Sequence, residues 1–125
     1  ANLVSKAVEQ FALEDLDLLI IENVGNLVCP VEFDLGESKR VAMVSTTEGH
    51  DKPAKYPKLF RTADVVVLNK IDLLPYVDFD DAQFRAYVEK LKPGVPVIAL
   101  SCKTGEGMED WIAWVKNAVA QGNGK

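Results

Sequence analysis

The sequence predicts an α/β fold in which helices flank a parallel β-sheet. Short stretches of the chain are apolar throughout instead of alternating with polar residues, as is typical of strands covered on both faces. Segments of helical character separate these stretches, which favours a parallel sheet. The predicted strands are residues 18–21, 40–46, 64–69 and 95–101.

A polar cluster follows each predicted strand directly. The clusters read ENVGN, STTEG, NKID and SCKTG in chain order. Right-handed crossovers bring the carboxyl ends of parallel strands to one edge of the sheet, and ligands of such sheets bind at that edge. The sequence therefore predicts a ligand site built from these loops.

The first two helices are predicted from apolar spacing and from proline. Residues 2–14 form an amphipathic helical pattern. Residues 55–63 indicate a short helix that Pro57 either breaks or starts, because proline is tolerated only in the first turn.

The last two helices have clearer end signals. Residues 79–92 form a helix for which Asp78 or Asp80 supplies the N-cap and Pro93-Gly94 the stop. Residues 107–121 form the final helix. The residues expected on its apolar face are Met108, Trp111, Ile112, Val115 and Val119.

Composition limits the classes of function. A chain of 125 residues fits a single domain with a real core. The net charge of −5 and the lack of a Lys/Arg cluster argue against nucleic-acid binding. No apolar run approaches the roughly 20 residues that span a bilayer. With no export signal and two distant cysteines, the thiols are expected to be reduced and the protein cytoplasmic.

The segment NKID has the residue types that read guanine. A carboxylate at Asp72 can accept both parallel donors of guanine, its N1–H and its exocyclic amine, whereas adenine presents an acceptor there. Asn69 can tie neighbouring loops together or reach the base edge. The Lys70 stem can lie over the purine face while its ammonium stays in water. The alternative is that this short motif is only a polar loop after a strand.

The segment SCK supports the guanine interpretation. It follows the next strand, one helix crossover after NKID, so the two loops should be neighbours. The backbone around Ser101 and Cys102 can meet guanine O6, and Lys103 can cover the second face of the base. Together the two segments resemble the fourth and fifth signature loops of GTP-binding proteins. The family usually has Ala at the position of Cys102, and we expect this cysteine to fill space rather than bind a ligand.

The loop IIENVGNLVCPVEFDLGE at residues 20–37 is more specific. It resembles the hydrogenase nickel-incorporation GTPase family (HypB), relatives of the urease accessory GTPase. The resemblance continues through STTEGHDKPAKYP, NKIDLLPY and SCKTGEGM, so it covers nearly the whole chain. It implies a P-loop GTPase fold of the SIMIBI type.

The resemblance also implies roles in that loop. Glu22 corresponds to the acid that holds Mg²⁺ through water, and Gly25 to the glycine that senses the γ-phosphate. Cys29 corresponds to a nickel or zinc ligand where two subunits meet. The residues alone would favour an inert cysteine there. His50 is not favoured as a further ligand, since a histidine in a polar loop is usually solvated.

Two features of the family are missing from these residues. The phosphate-binding pattern G-x-x-x-x-G-K-[ST] does not occur, nor does a Cys-His pair to accompany Cys29. We therefore expect residues 1–121 to be the C-terminal portion of a single GTPase domain, with 122–125 a flexible tail. Its sheet is incomplete without the P-loop strand and helix and should expose an edge. No catalytic residue is assigned, and the chain alone is expected to be inactive.

The resemblance implies that the intact protein is a GTP-hydrolysing metallochaperone for nickel insertion into hydrogenase. It implies GTP or GDP, Mg²⁺, and Ni²⁺ or Zn²⁺ as cofactors, and a GTP-dependent homodimer. Expected partners are a nickel-donating accessory protein of the HypA type and the hydrogenase large-subunit precursor. One alternative is a non-catalytic interaction module that keeps the nucleotide fold. Another is a urease-type accessory GTPase. Its metal motif is Cys-Pro-His, whereas this chain has Val31 after Pro30, which argues against that alternative.

Overall fold

The computed structural model describes Leu18, Ile20 and residues 39–123. Within this part of the chain lies a parallel three-stranded sheet of order β1-β2-β3. The register places Ser45 beside Asn69, and Leu68 beside Ala99. The strands are β1 (Val41–Ser45), β2 (Val65–Asn69) and β3 (Val97–Ala99).

Helical segments connect and follow the strands, including several short ones that the sequence did not predict. They include two 3₁₀ segments. One begins directly after β1, and the other begins after a single residue, Lys70, that follows β2. The helical segments are Thr46–Glu48 (3₁₀), α1 (Lys52–Lys55), α2 (Pro57–Arg61), Ile71–Tyr76 (3₁₀), α3 (Asp81–Leu91) and α4 (Met108–Asn123).

The helix end signals acted as predicted. Pro57 is the first residue of α2, where its missing N–H loses no intrahelical bond. Of the two N-cap candidates for α3, Asp80 is the cap, because its Oδ1 accepts a hydrogen bond from the backbone N–H of Gln83 at 3.0 Å. The helix ends at Leu91, just before Pro93-Gly94.

One face of the sheet packs against α2 and α3. Phe60 and Phe84 meet edge to face, with ring centroids 6.3 Å apart, and both are fully buried. Burial of each such ring contributes on the order of 2–3 kcal/mol. The buried residues of this layer are Ala42, Val44, Phe60, Ala63, Val66, Leu68, Phe84 and Val88.

The opposite face of β2 and β3 packs against α4. Trp111 and Trp114 stack with centroids 5.7 Å apart and lie against Val65, Val67, Ile98 and Leu100. Of the predicted apolar face of this helix, Met108 and Trp111 pack against the sheet, and the prediction was wrong for Ile112. Ile112 is 47% exposed, and Trp114 contacts the sheet instead.

The expectation that every strand is covered on both faces is wrong for β1. Val41 and Met43 are 39% and 50% exposed, while Ala42 and Val44 are buried. The reason is that α4 lies over β2 and β3 and does not extend over β1 in the described structure. Strand β2 follows the prediction, since its first four residues are fully buried.

Several predicted elements fall outside the described residues. These are the helix at 2–14, the loop at 22–37 and most of the strand at 18–21. Leu18 and Ile20 belong to no strand and are 48% and 71% exposed. Among the helices that the structure describes, none has the length and apolar character needed to cross a membrane.

Gly107 allows the chain to turn closely beneath the end of β3 before α4 begins. Its φ of +78° is a conformation that side-chain-bearing residues rarely adopt. A Cβ added at this position would clash with the Ala99 carbonyl oxygen and lie 3.0 Å from the Leu100 Cα. The position therefore requires glycine for two reasons, backbone conformation and space.

Gly107→Ala should lower the free energy of unfolding by at least about 2 kcal/mol, because strain and a backbone clash add. Equilibrium urea unfolding measures this change. Gly94→Ala is the matched control, since Gly94 has φ +82° but open space around it. The control should lose only about 1 kcal/mol. Equal losses in the two variants would contradict the clash.

Candidate functional site

Three loops meet at the carboxyl edge of the sheet, because all three strands run in the same direction. They follow β1, β2 and β3 and contain residues 46–50, 70–72 and 100–107. Their mutual hydrogen bonds show that the predicted neighbourhood of NKID and SCK is correct. The backbone N–H of Ile71 also donates to the Leu100 carbonyl at 3.2 Å, so the second and third loops are joined along the main chain.

Asn69 ties two of these loops together. Its side-chain Oδ1 accepts a hydrogen bond from the backbone N–H of Lys70 at 2.7 Å and another from the N–H of Cys102 at 3.3 Å. Of the two roles considered for this amide, linking loops and reaching the base, the geometry matches linking. Asn69 therefore fixes the position of the loop after β2 relative to the loop after β3.

Asp72 is oriented by a buried hydroxyl. The Oγ of Ser101, a fully buried residue, lies 2.8 Å from Asp72 Oδ1 and donates to it. The same Oγ accepts from the backbone N–H of Thr104 at 3.1 Å. Asp72 itself is only partly buried. One carboxylate oxygen is therefore held by a hydrogen bond, while the residue keeps part of its surface accessible to a ligand.

Lys70 has an unusual backbone conformation. Its φ of 64° and ψ of 38° are left-handed, and within the described residues no other non-glycine residue has a positive φ. Left-handed backbone costs about 1–2 kcal/mol in a residue with a Cβ. The side chain is exposed, so its stem is available to a ring lying above the loop.

The loop after β3 is a tight turn with its own backbone bonds. The Ser101 N–H donates to the Glu106 carbonyl and the Gly105 N–H to the Ser101 carbonyl, both at 2.8 Å. Lys103 is exposed at the tip of this turn. The contact of this loop with guanine O6 remains a prediction. The Cys102 N–H already donates to Asn69 Oδ1 in this structure.

The prediction that Cys102 fills space is wrong. The residue is exposed, with a free thiol, because the turn that starts at buried Ser101 points the next side chains outward. An alanine at this position in related loops would be equally free of packing constraints. The backbone of Cys102, which bonds to Asn69, carries the structural role of this residue.

Thr46 is the residue of this edge that the sequence did not single out. It is 2% exposed, and its Oγ1 donates to the Lys70 carbonyl at 2.7 Å. The signal that could have indicated Thr46 is its position: it directly follows β1, just as Lys70 directly follows the neighbouring strand β2. A hydroxyl in a loop of polar residues carries no sequence signature of its own, so only the register reveals it.

His50 has a structural role in the described part of the chain. Its Nδ1 accepts a hydrogen bond from the backbone N–H of Asp80 at 3.2 Å, and its ring meets Phe79 edge to face at 5.9 Å. Across Lys39–Asn123, no group of three or more His, Cys, Asp or Glu side chains is placed to hold a metal ion.

One carboxylate near these loops has a shifted pKa. The hydrogen bond and ion pair with Lys55, at 3.3 Å, lower the pKa of Asp51 below its ordinary value. The pair is exposed and joins the start of α1 to its own last residue, four positions on. It stabilises that short helix locally.

The remaining predicted site residues, Glu22, Gly25 and Cys29, lie outside the described residues. Comparison with known proteins covers that region. Residues 1–99 match the family described as CobW/HypB/UreG, nucleotide-binding domain. The chain belongs to this family. The resemblance found in the sequence, and the P-loop GTPase fold it implied, are thereby confirmed.

Relatives within the CobW/HypB/UreG family include proteins named hydrogenase maturation factor HypB. The one from Azotobacter chroococcum is 53% identical over 116 residues, which are 93% of this chain and 38% of that protein. The one from Escherichia coli K12 is 47% identical, again over 93% of this chain and 40% of the relative. The chain thus spans less than half the length of these relatives.

Solved structures of the same family are also similar. HypB from Archaeoglobus fulgidus superposes with a TM-score of 0.86 at 42% identity, covering 94% of this chain and 57% of that one. HypB from Helicobacter pylori, solved in complex with nickel, gives a TM-score of 0.84 at 36% identity, covering 94% and 55%. The fold therefore agrees with experimental structures from two different organisms.

Ser101→Ala should expose the backbone N–H of Thr104 to exchange, because that amide loses its acceptor. Loss of one hydrogen bond of this kind raises the hydrogen-exchange rate about tenfold, measured by NMR. The Gly105 amide is the internal control, since its acceptor is the Ser101 backbone carbonyl, which alanine retains. Unchanged exchange at Thr104, or equal acceleration at both amides, would contradict the role of the hydroxyl.

Proposed function

We propose that this chain carries the guanine-reading part of a GTP site. The observation that carries the proposal is the partly buried carboxylate of Asp72, whose Oδ1 accepts a hydrogen bond at 2.8 Å from the buried Oγ of Ser101. Membership in a nucleotide-binding family supports it. The ligand read by this carboxylate is the base of GTP or GDP.

The chemistry selects guanine over adenine. A carboxylate accepts from N1–H and the exocyclic amine of guanine in a bidentate, charge-assisted pair. Adenine would leave the carboxylate facing an acceptor, and sites of this kind reject the analogue by on the order of 10⁴-fold or more. Lys70 and Lys103, both exposed at the edge, would cover the two faces of the ring.

The whole protein, on this proposal, hydrolyses GTP in the service of nickel insertion into hydrogenase. The names of the relatives support a role in hydrogenase maturation, and the nickel complex of the Helicobacter pylori protein supports nickel as the metal. The relatives are much longer than this chain, so the activity belongs to the full-length polypeptide. Hydrolysis would depend on phosphate positioning and charge stabilisation more than on covalent chemistry.

The roles of the residues in the 22–37 loop follow from the resemblance alone. Glu22 would hold Mg²⁺ through water, and Gly25 would contact the γ-phosphate. Cys29 would bind Ni²⁺ or Zn²⁺ between two subunits of a homodimer, since a thiolate suits borderline metals. A HypA-type nickel donor and the hydrogenase large-subunit precursor are the proposed partners.

Asp72→Asn in the full-length polypeptide should turn preference from guanine toward xanthine nucleotides, because an amide can donate to the extra carbonyl of xanthine. We expect the affinity ratio of GDP to XDP to change by about 10³-fold or more, measured by calorimetric titration with each nucleotide. Asp78→Asn is the control, because Asp78 is an exposed carboxylate that leaves the ratio intact. Unaltered discrimination in the Asp72 variant would refute the guanine site.

The 125-residue chain by itself should show no GTP turnover, because it contains no G-x-x-x-x-G-K-[ST] loop to hold the phosphates. Phosphate release from GTP measures this at enzyme concentrations well above those used for the full-length polypeptide, which is the positive control. Release above background that depends on Asp72 would show that another segment binds the phosphates.

A further inference from the structure

We propose that Thr46 is a positioning residue for the guanine site, and that it acts by holding Lys70 in its left-handed conformation. The inference rests on the proposed function and adds to it a residue from a third loop. Thr46 itself lies below the surface that a base would occupy, since it is 2% exposed. It therefore acts through Lys70 and not by contact with the ligand.

The sheet register brings the two residues together. Ser45 pairs with Asn69, so the next residue of each strand, Thr46 and Lys70, leaves the sheet at the same level. The hydroxyl of Thr46 donates to the Lys70 carbonyl at 2.7 Å, the usual distance for a hydrogen bond between two oxygen atoms. The loop after β1 is thus joined to the base-reading loop.

The conformation of Lys70 needs support of this kind. A left-handed residue with a Cβ persists only where its surroundings determine it. At Lys70 the backbone N–H donates to Asn69 Oδ1, and the carbonyl accepts from both Thr46 Oγ1 and the Leu73 N–H at 3.0 Å. Both polar atoms of the strained residue are therefore held. Among these contacts, the one from Thr46 comes from outside the loop that contains Lys70.

The turn that contains Thr46 has hydrogen bonds that do not involve Lys70. Ser45 and Glu48 form a capping box around it, in which Ser45 Oγ accepts from the Thr47 N–H at 3.3 Å and Glu48 Oε2 from the Ser45 N–H at 3.0 Å. Further along, His50 bonds to the backbone of Asp80. The turn that presents the hydroxyl is thus held by hydrogen bonds of its own, in addition to the bond to Lys70.

The consequence for binding differs from that of Asp72. The backbone angles of Lys70 set the direction in which its side chain leaves the loop. The stem packs on the ring face, which every purine shares, whereas Asp72 reads the edge, which differs between bases. Loss of the Thr46 hydroxyl should therefore weaken binding of different purine nucleotides by the same factor and leave their ratio unchanged.

The test compares Thr46→Val with Thr46→Ser in the full-length polypeptide, titrated with GDP and IDP. Valine removes the hydroxyl, and we expect about a three- to tenfold loss of affinity for both nucleotides, as for one lost hydrogen bond. Serine keeps the hydroxyl and should retain affinity within about twofold. The ratio of GDP to IDP affinity should stay constant in both variants.

Thr62→Val is the matched control. Its hydroxyl also donates to main-chain carbonyls, those of Lys58 at 3.0 Å and Leu59 at 3.3 Å, but at the end of α2. It should lower the melting temperature with no change in GDP affinity. A second measurement places Thr46→Val in a Lys70→Gly background, where glycine adopts the left-handed conformation without strain, and the hydroxyl should then have little further effect.

The outcomes separate the two proposals. If Thr46→Val binds GDP as tightly as Thr62→Val does, while Asp72→Asn changes base preference, the role of Thr46 is overturned and the guanine site stands. A full additional loss in the Lys70→Gly background also overturns it, since the hydroxyl would then act elsewhere. If neither Asp72→Asn nor Thr46→Val alters nucleotide binding, both proposals fail.

Discussion

The parallel register of β1, β2 and β3 is the constraint on which the described structure depends. It is set by β2, whose first four residues are fully buried, with flanking strands paired on both sides. With this register, Ser45 and Asn69 end their strands side by side, and Leu68 lies beside Ala99. A one-residue slip of β1 would turn its buried face outward, and it would separate the loops that meet at the edge.

Beneath the edge, small buried hydroxyls hold the polar groups that face solvent. Ser101 and Thr46 are almost completely buried, and each donates to a group of the NKID loop. The groups above them, Lys70 and Asp72, remain accessible. This arrangement suits a site that must read a planar ring, because the reading groups are aligned before the ligand arrives and little ordering is left to binding.

Sequence reasoning succeeded where one local signal outweighed the others. The run of β-branched residues predicted β2, and proline and aspartate marked the starts of α2 and α3. It failed where neighbours decide. Val41 and Met43 are as apolar as the residues of β2, yet they are exposed because α4 covers only the other two strands. The choice of Trp114 over Ile112 depends likewise on where α4 crosses the sheet.

By itself, the sequence determined the α/β class, the order of the elements and the position of the polar loops, because each follows from local periodicity and short-range end signals. The family also followed from it, since the loop motifs are contiguous in the chain. Only the tertiary structure decided that Asn69 links loops, that Cys102 faces solvent and that Thr46 supports Lys70. These are contacts between residues 24 to 33 positions apart, or the exposure that results from them, and they exist only once the strand register has aligned the loops.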